Sequence, residues 1–207
     1  MKHHRIEALA DGIFAIVMTL MVLDLKVPEI VGATNVDIWN ALAAQGPIFL
    51  AYIYSFTLLF TYWRAHHYIV SVYASAVDVK VSSYNMFFFM AVGLIPFSSH
   101  LIGTYSDSLT AIYVYGLNIF AASVLLYLLR RYVLKHLRAE GITDEQVRYS
   151  ALRTFVPMVF VVLACLGALI DTRIAIWVFT LAIFFNFINK PADIVYAWIE
   201  GRRQKKS

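Results

Sequence analysis

No Asp, Glu, Lys or Arg occurs between Ile38 and Trp63, Val81 and Ser106, Ser108 and Leu129, Thr154 and Ile170, or Ile174 and Asn189. Runs of that length leave few folds open. A helix that crosses a bilayer needs about 20 largely apolar residues, and in hydrocarbon the backbone must satisfy its own polar groups, which an α-helix does. With the apolar N-terminal segment that ends at Leu25, the runs predict an all-α integral membrane protein of six transmembrane helices. The expected spans are 6–25, 46–70, 83–103, 108–131, 153–171 and 173–190, in a single domain over 1–207 whose last part, 192–207, is a basic tail. The last two spans are short, and Arg153, Arg173 and Lys190 are expected to snorkel to the interface with their stems in lipid.

Composition agrees, with 61% hydrophobic and 14% charged residues, outside the range of an ordinary soluble domain. Every Lys and Arg except Lys26 and Arg173 falls on one side of this six-span arrangement. Positive residues are retained in the cytoplasm, so both termini are expected there. The net charge of +4 reports topology, and no basic stripe points to nucleic acid. Asp11 interrupts the first hydrophobic segment, no small-x-small site precedes Lys26, and further spans follow, so a cleaved signal peptide is not expected. The single cysteine, Cys165, has no intrachain partner and reads as a small packing residue.

The segments break at turn chemistry. KVPEIVGATN (26–35) is expected to be a loop, and Pro47 suits the first turn of the second span. In the long hydrophilic stretch 130–153, Thr143 followed by Gln146 resembles a capping box, which predicts a short cytoplasmic helix. After Lys190-Pro191 the tail is expected to lie along the membrane over 192–199. No internal repeat, phosphate-binding loop, Cys/His metal spacing or serine elbow is present, so an enzyme is not expected. The four tryptophans fall near span ends, as aromatic belts do.

The first segment sets Arg5, Glu7 and Asp11 at the mouth of GIFAIVMTLMVL (12–23), whose one hydroxyl is Thr19. Ionisable groups in spanning helices usually face a bundle interior or a water-filled cavity, which makes Asp11 a functional-site candidate. At about 100° per residue, Ile16, Leu20 and Leu23 form one stripe. Any core-facing helix shows the same spacing. The alternative is that copies of the stripe face one another across a symmetry axis as hydrophobic constrictions that gate by dewetting. Asp11 falls on the side expected to face the protein, and Val17 and Met18 on the side away from the stripe.

A second cluster lies at the same depth: Asp11, the sequence Trp63-Arg64-Ala65-His66-His67, and Asn85. A carboxylate there needs Arg or His partners to stay charged, which predicts a polar network joining the first three spans. Adjacent histidines without further ligands are a weak metal signal, and no metal site is expected.

These blocks resemble the prokaryotic relatives of the lysosomal potassium channel TMEM175, a six-helix family. Arg5 through Gly12 is similar to the family's entrance signature Arg-x-x-x-Phe-Ser-Asp-Gly, Trp63 to His67 to its Trp-x-x-His-His element, and Asn85 with Pro96-Phe97 to its third-helix pattern. Leu9 and Ala10 stand where the family has Phe and Ser, so a hydrogen bond from that Ser is missing. The resemblance implies a homotetramer in a prokaryotic cell membrane, with the first helix of each copy lining a potassium-permeable pore. It places the constriction at Ile16, Leu20 and Leu23, a selectivity hydroxyl at Thr19, and a structural entrance network at Arg5, Asp11, Trp63, His66, His67 and Asn85. It implies no cofactor beyond the permeating potassium ion. Closed cyclic symmetry, the default for such assemblies, is the simplest way for one helix per chain to enclose a channel. Two other readings are a proton- or cation-coupled transporter that uses Asp11 and the histidines as a relay, and a non-conducting scaffold whose basic tail binds anionic lipid.

Overall fold

The computed structural model describes residues 3–32 and 34–187. Met1, Lys2, the end of the expected last span including Lys190, and the basic tail 192–207 lie outside the described residues. Eight α-helices are described: α1 (His3–Leu20), α2 (Asn35–Ala44), α3 (Gly46–His67), α4 (Val79–Gly93), α5 (Ile95–Thr104), α6 (Leu109–His136), α7 (Asp144–Ala168) and α8 (Thr172–Phe187). A 3-10 turn, Met21–Asp24, prolongs α1, and a π-helical turn, Tyr68–Tyr73, prolongs α3. Four helical stretches, His4–Asp24, Gly46–Tyr73, Val79–Thr104 and Leu109–His136, are long and apolar enough to cross a membrane. Thr154–Ala168 and Thr172–Ala182 are shorter apolar helices.

The helix boundaries follow local chemistry. Thr34 and Asp37 form a reciprocal capping box, with the Thr34 amide donating to Asp37 Oδ2 at 2.9 Å and the Asp37 amide to Thr34 Oγ1 at 3.3 Å. That cap starts α2 inside a stretch expected to belong to a loop and the approach to the second span. The run from Ile38 to Trp63 is uncharged throughout, so charge alone does not mark the break at Gln45, and Pro47 begins the new helix. The third span is broken as well: α4 stops at Gly93 and α5 restarts around Pro96, which has no amide to continue the ladder. The short helix expected after Thr143 is not separate. It forms the first turns of α7, which runs unbroken to Ala168 with Pro157 inside it.

The core is one continuous cluster in which α3 meets α1, α5, α7 and α8, while α6 packs along α4, α5 and α7. Hydroxyls stitch it together: Ser55 Oγ lies 2.6 Å from Tyr115 Oη and donates to Ser99 Oγ at 2.9 Å, and Tyr62 Oη lies 2.6 Å from Ser123 Oγ. In an apolar interior such groups are costly unless paired, and pairing them fixes how α3 meets α5 and α6. A side chain begun at Gly116 would come within 2.6 Å of Cys165 Sγ, so glycine is what lets α6 and α7 approach closely, and Cys165 packs into that contact.

Candidate functional site

α1 has two faces. Ile6, Ala10, Phe14, Val17 and Met21 are buried, a helical line that packs the segment onto α3 and α4. Ile16, Leu20 and Leu23 are exposed, at 60%, 49% and 69%. The stripe found in the sequence is therefore no part of the chain's own core. Thr19 is exposed too, and on a helical wheel it lies opposite the buried line. Its hydroxyl donates back to the carbonyls of Ala15 at 2.7 Å and Ile16 at 3.0 Å. Val17, expected to point away from the stripe, does so by being buried, and Met18 packs against the core.

At the N-terminal end of the bundle the structure brings α1, α3 and α4 together through two separate polar pairs. Trp63 Nε1 donates to Asp11 Oδ1 at 2.8 Å. His66, only 2% exposed, places Nε2 2.5 Å from Asn85 Oδ1. Because Asn85 Nδ2 donates to the Val81 carbonyl at 2.8 Å, its oxygen is left as the acceptor and His66 Nε2 carries the proton. The imidazole lies flat on Phe88, centroids 5.7 Å apart and planes at 7°, with Phe14 of α1 against it at 6.5 Å. His67 diverges from His66: it stacks on Trp63, and its Nδ1 lies 3.2 Å from Ser71 Oγ. The adjacent histidines thus serve different neighbours, and among the described residues no three His, Cys, Asp or Glu side chains gather as metal ligands.

Two expectations about this cluster need correction. Asp11 is exposed in the single chain, at the edge of the buried face of α1, and its partner is a neutral indole. An exposed carboxylate keeps its hydration and needs no cation to stay charged. Arg5 is exposed, and six residues from Asp11 on a helix its side chain leaves a different face. Ala10 is buried at 2%, so a small apolar group stands where a hydroxyl would need a partner.

A further pair, Asp24 and His100, was not singled out in the sequence. They meet at the opposite end of α1, with His100 Nδ1 3.3 Å from Asp24 Oδ1. The signal was available: His100 is the one histidine in the uncharged run from Val81 to Ser106, and in the expected topology it lies toward the same end of its span as Asp24.

A family model described as the endosomal/lysosomal potassium channel TMEM175 matches residues 5–96, the part that holds α1, both polar pairs and the α4–α5 break. A protein of Streptomyces collinus named as a potassium channel is 38% identical over 101 residues, 49% of this chain and 48% of its own; the chain thus matches about half the length of that relative. One of Chryseobacterium, also named as a potassium channel, is 29% identical over 178 residues, 85% of this chain and 88% of its own. The crystal structure of a lysosomal potassium-selective channel TMEM175 homologue from Chamaesiphon minutus superposes with a TM-score of 0.73 at 28% identity, covering 88% of this chain and 95% of that one.

Proposed function

We propose, from the likeness to the TMEM175 family, that the chain is a potassium-permeable cation channel of a prokaryotic cell membrane, in which four copies of α1 enclose the pore. The observation that carries this reading is the face of α1 turned from its own core. Ile16, Leu20, Leu23 and Thr19 are exposed on the chain alone, and one such face per chain requires other chains to enclose a path.

In this arrangement each of Ile16, Leu20 and Leu23 contributes to an apolar collar. A hydrated cation crosses such a collar only by shedding water or when the collar widens, so the collars gate by dewetting. Thr19 supplies the polar contact between them. Its hydrogen is committed to the carbonyls of Ala15 and Ile16, which leaves oxygen lone pairs to face the path and favours cations over anions. The sequence contains no TVGYG-like stretch, so discrimination between potassium and sodium rests on collar width and on these oxygens. The distribution of Lys and Arg supports cytoplasmic termini; a reporter fused after Ser207 is then active only as a cytoplasmic protein, and one inserted beside Thr34 only as an external one. Trp63–Asp11 and His66–Asn85 hold α1 against α3 and α4 at the cytoplasmic end.

The test is flux from liposomes that contain the purified full chain. A channel passes potassium down its gradient in either direction without saturating or requiring a second ion. Flux that saturates and needs a proton or sodium gradient would replace this reading with a coupled transporter, and absence of flux under every voltage and pH tried would leave a scaffold.

A further inference from the structure

Asp24 follows directly on Leu23, the outermost residue of the exposed stripe, and its carboxylate meets His100 of α5. The two side chains are 32% and 43% exposed on the single chain, in the order Asp24 and His100, so the chain's own packing does not seal the pair. His100 Nδ1 itself is shielded from solvent and makes no hydrogen bond. Nδ1 lies 3.3 Å from a carboxylate oxygen, so His100 protonated on both ring nitrogens is a counter-ion for Asp24, whereas the neutral ring leaves the Asp24 charge without one in the contact.

The charged side chains of the helices packed against α5 lie mostly at the other end. Of the elements packed against α5, α3 carries Arg64, His66 and His67, α4 carries Lys80, and α6 carries Arg130, Arg131, Lys135 and His136, all at the other end of the bundle. The charged groups of α1 up to Asp11 are there too. Tyr54 and Tyr115 are buried in the interior. Besides Asp24, this end holds Lys26 and Glu29 in the loop that follows it, Asp37 in the first turn of α2, Asp107 just beyond α5, and Asp171 and Arg173 at the turn between α7 and α8.

We propose that Asp24 is the cation-recruiting residue of the outer pore mouth and that His100 sets its effective charge, so that acid on that side lowers the supply of potassium to the first collar. The inference rests on the channel reading above. Four carboxylates one residue beyond the Leu23 collar stand beside low-dielectric walls, which focus their field and raise the local cation concentration. A protonated His100 cancels that field without moving a collar.

The experiment is potassium current through the full-length protein in planar bilayers, in about 0.01 M and about 1 M KCl, where the Debye lengths are about 30 Å and 3 Å. At low salt, Asp24→Asn is expected to lower current entering from the Asp24 side by about threefold, Asp24→Glu to preserve it, and both to match the unmodified protein at high salt. His100→Gln is expected to keep the current measured at alkaline pH and to abolish its fall on acidification. Equal low-salt losses in Asp24→Asn and Asp24→Glu would overturn the proposal, as would acid sensitivity retained in His100→Gln. The unmodified protein gives a test free of mutations: an acid-induced loss of current that is as large at high salt as at low salt also overturns it. Absence of potassium current from the unmodified protein under every condition is a different result, and it removes the channel reading itself.

Discussion

Trp63 reaches from the C-terminal part of α3 to donate its indole N–H to Asp11 of α1 at 2.8 Å, so a residue type that ordinarily marks the membrane interface here fastens the stripe-bearing helix to its neighbour. A hydrogen bond to a charged acceptor contributes about 1.5–3 kcal/mol, less where water competes, as it does at an exposed Asp11. Trp63→Phe and Asp11→Ala are each expected to destabilise the purified protein by about 1 kcal/mol and to reduce the tetramer fraction on size exclusion, with potassium over sodium preference unchanged. Together they should cost less than the sum of the two. Strict additivity, or an altered ion preference in a fully assembled Asp11 variant, would move Asp11 from anchor to pore.

Asn85 should matter more, because its partner is buried. His66 is 2% exposed and enclosed by Phe14, Phe88 and Phe89. Asn85→Ala would leave the imidazole N–H with no acceptor in an apolar cage, at about 1–3 kcal/mol. Thermal unfolding is the measurement, and the expected order is Asn85→Ala below Asp11→Ala. The reverse order would mean that another acceptor takes the His66 proton.

For the collars, Ile16→Asn and Leu23→Ser are expected to raise cation flux in liposomes and weaken potassium over sodium preference, because a polar ring stays wet. The control is set by the structure. Val17 is 7% exposed, so a polar group there would disrupt packing and obscure any effect on conduction. Val22 is 48% exposed and about 120° from Ile16 on the wheel, and Val22→Ser should leave flux nearly unchanged. Equal effects at Val22 and Leu23 would reduce the stripe to ordinary lipid-facing surface.

Asp78 caps α4, accepting from the Val81 amide at 2.8 Å and from the Tyr132 hydroxyl. Partial desolvation pushes its carboxyl up, but the hydrogen bonds from Tyr132, Val81 and Lys80, with the Lys80 charge, outweigh it and hold the group below the usual 3.8. A carboxylate that titrates lower in the folded chain than in the unfolded one contributes stability at neutral pH and loses it as pH falls from the unfolded value through the folded one. Stability of the unmodified protein should therefore decline below about pH 5, and Asp78→Asn should flatten that decline. An equally steep acid limb in the variant would assign the loss to other carboxylates.

How much of this could be read from the sequence follows from what the sequence encodes locally. Uncharged length gives spanning helices, and the 3.6-residue period gives the stripe on α1, because both are properties of one segment. The α4–α5 break has an equally local cause, the missing amide of Pro96, although 83–103 was expected as one span. The separate helix α2 was hidden because its residues from Ile38 onward share the uncharged composition of the second span, and only the Thr34–Asp37 box marks its start. The pairing of Asp11 with Trp63 instead of Arg5, and of Asp24 with His100, depends on how α1 is rotated against α3 and α5. That rotation is set by packing at Phe14 and Met21, and no local pattern reports it.

The exposed face of α1 also says what governs assembly. Lipid tails solvate Ile16, Leu20 and Leu23 as readily as a neighbouring helix does, so in a bilayer the hydrophobic effect supplies no force to bring copies together. Association then rests on close packing and on polar contacts made between copies, set against the mixing entropy of chains diluted among lipids. The relevant concentration is the mole fraction of protein in the membrane, and its oligomeric state should respond to added lipid at constant aqueous concentration.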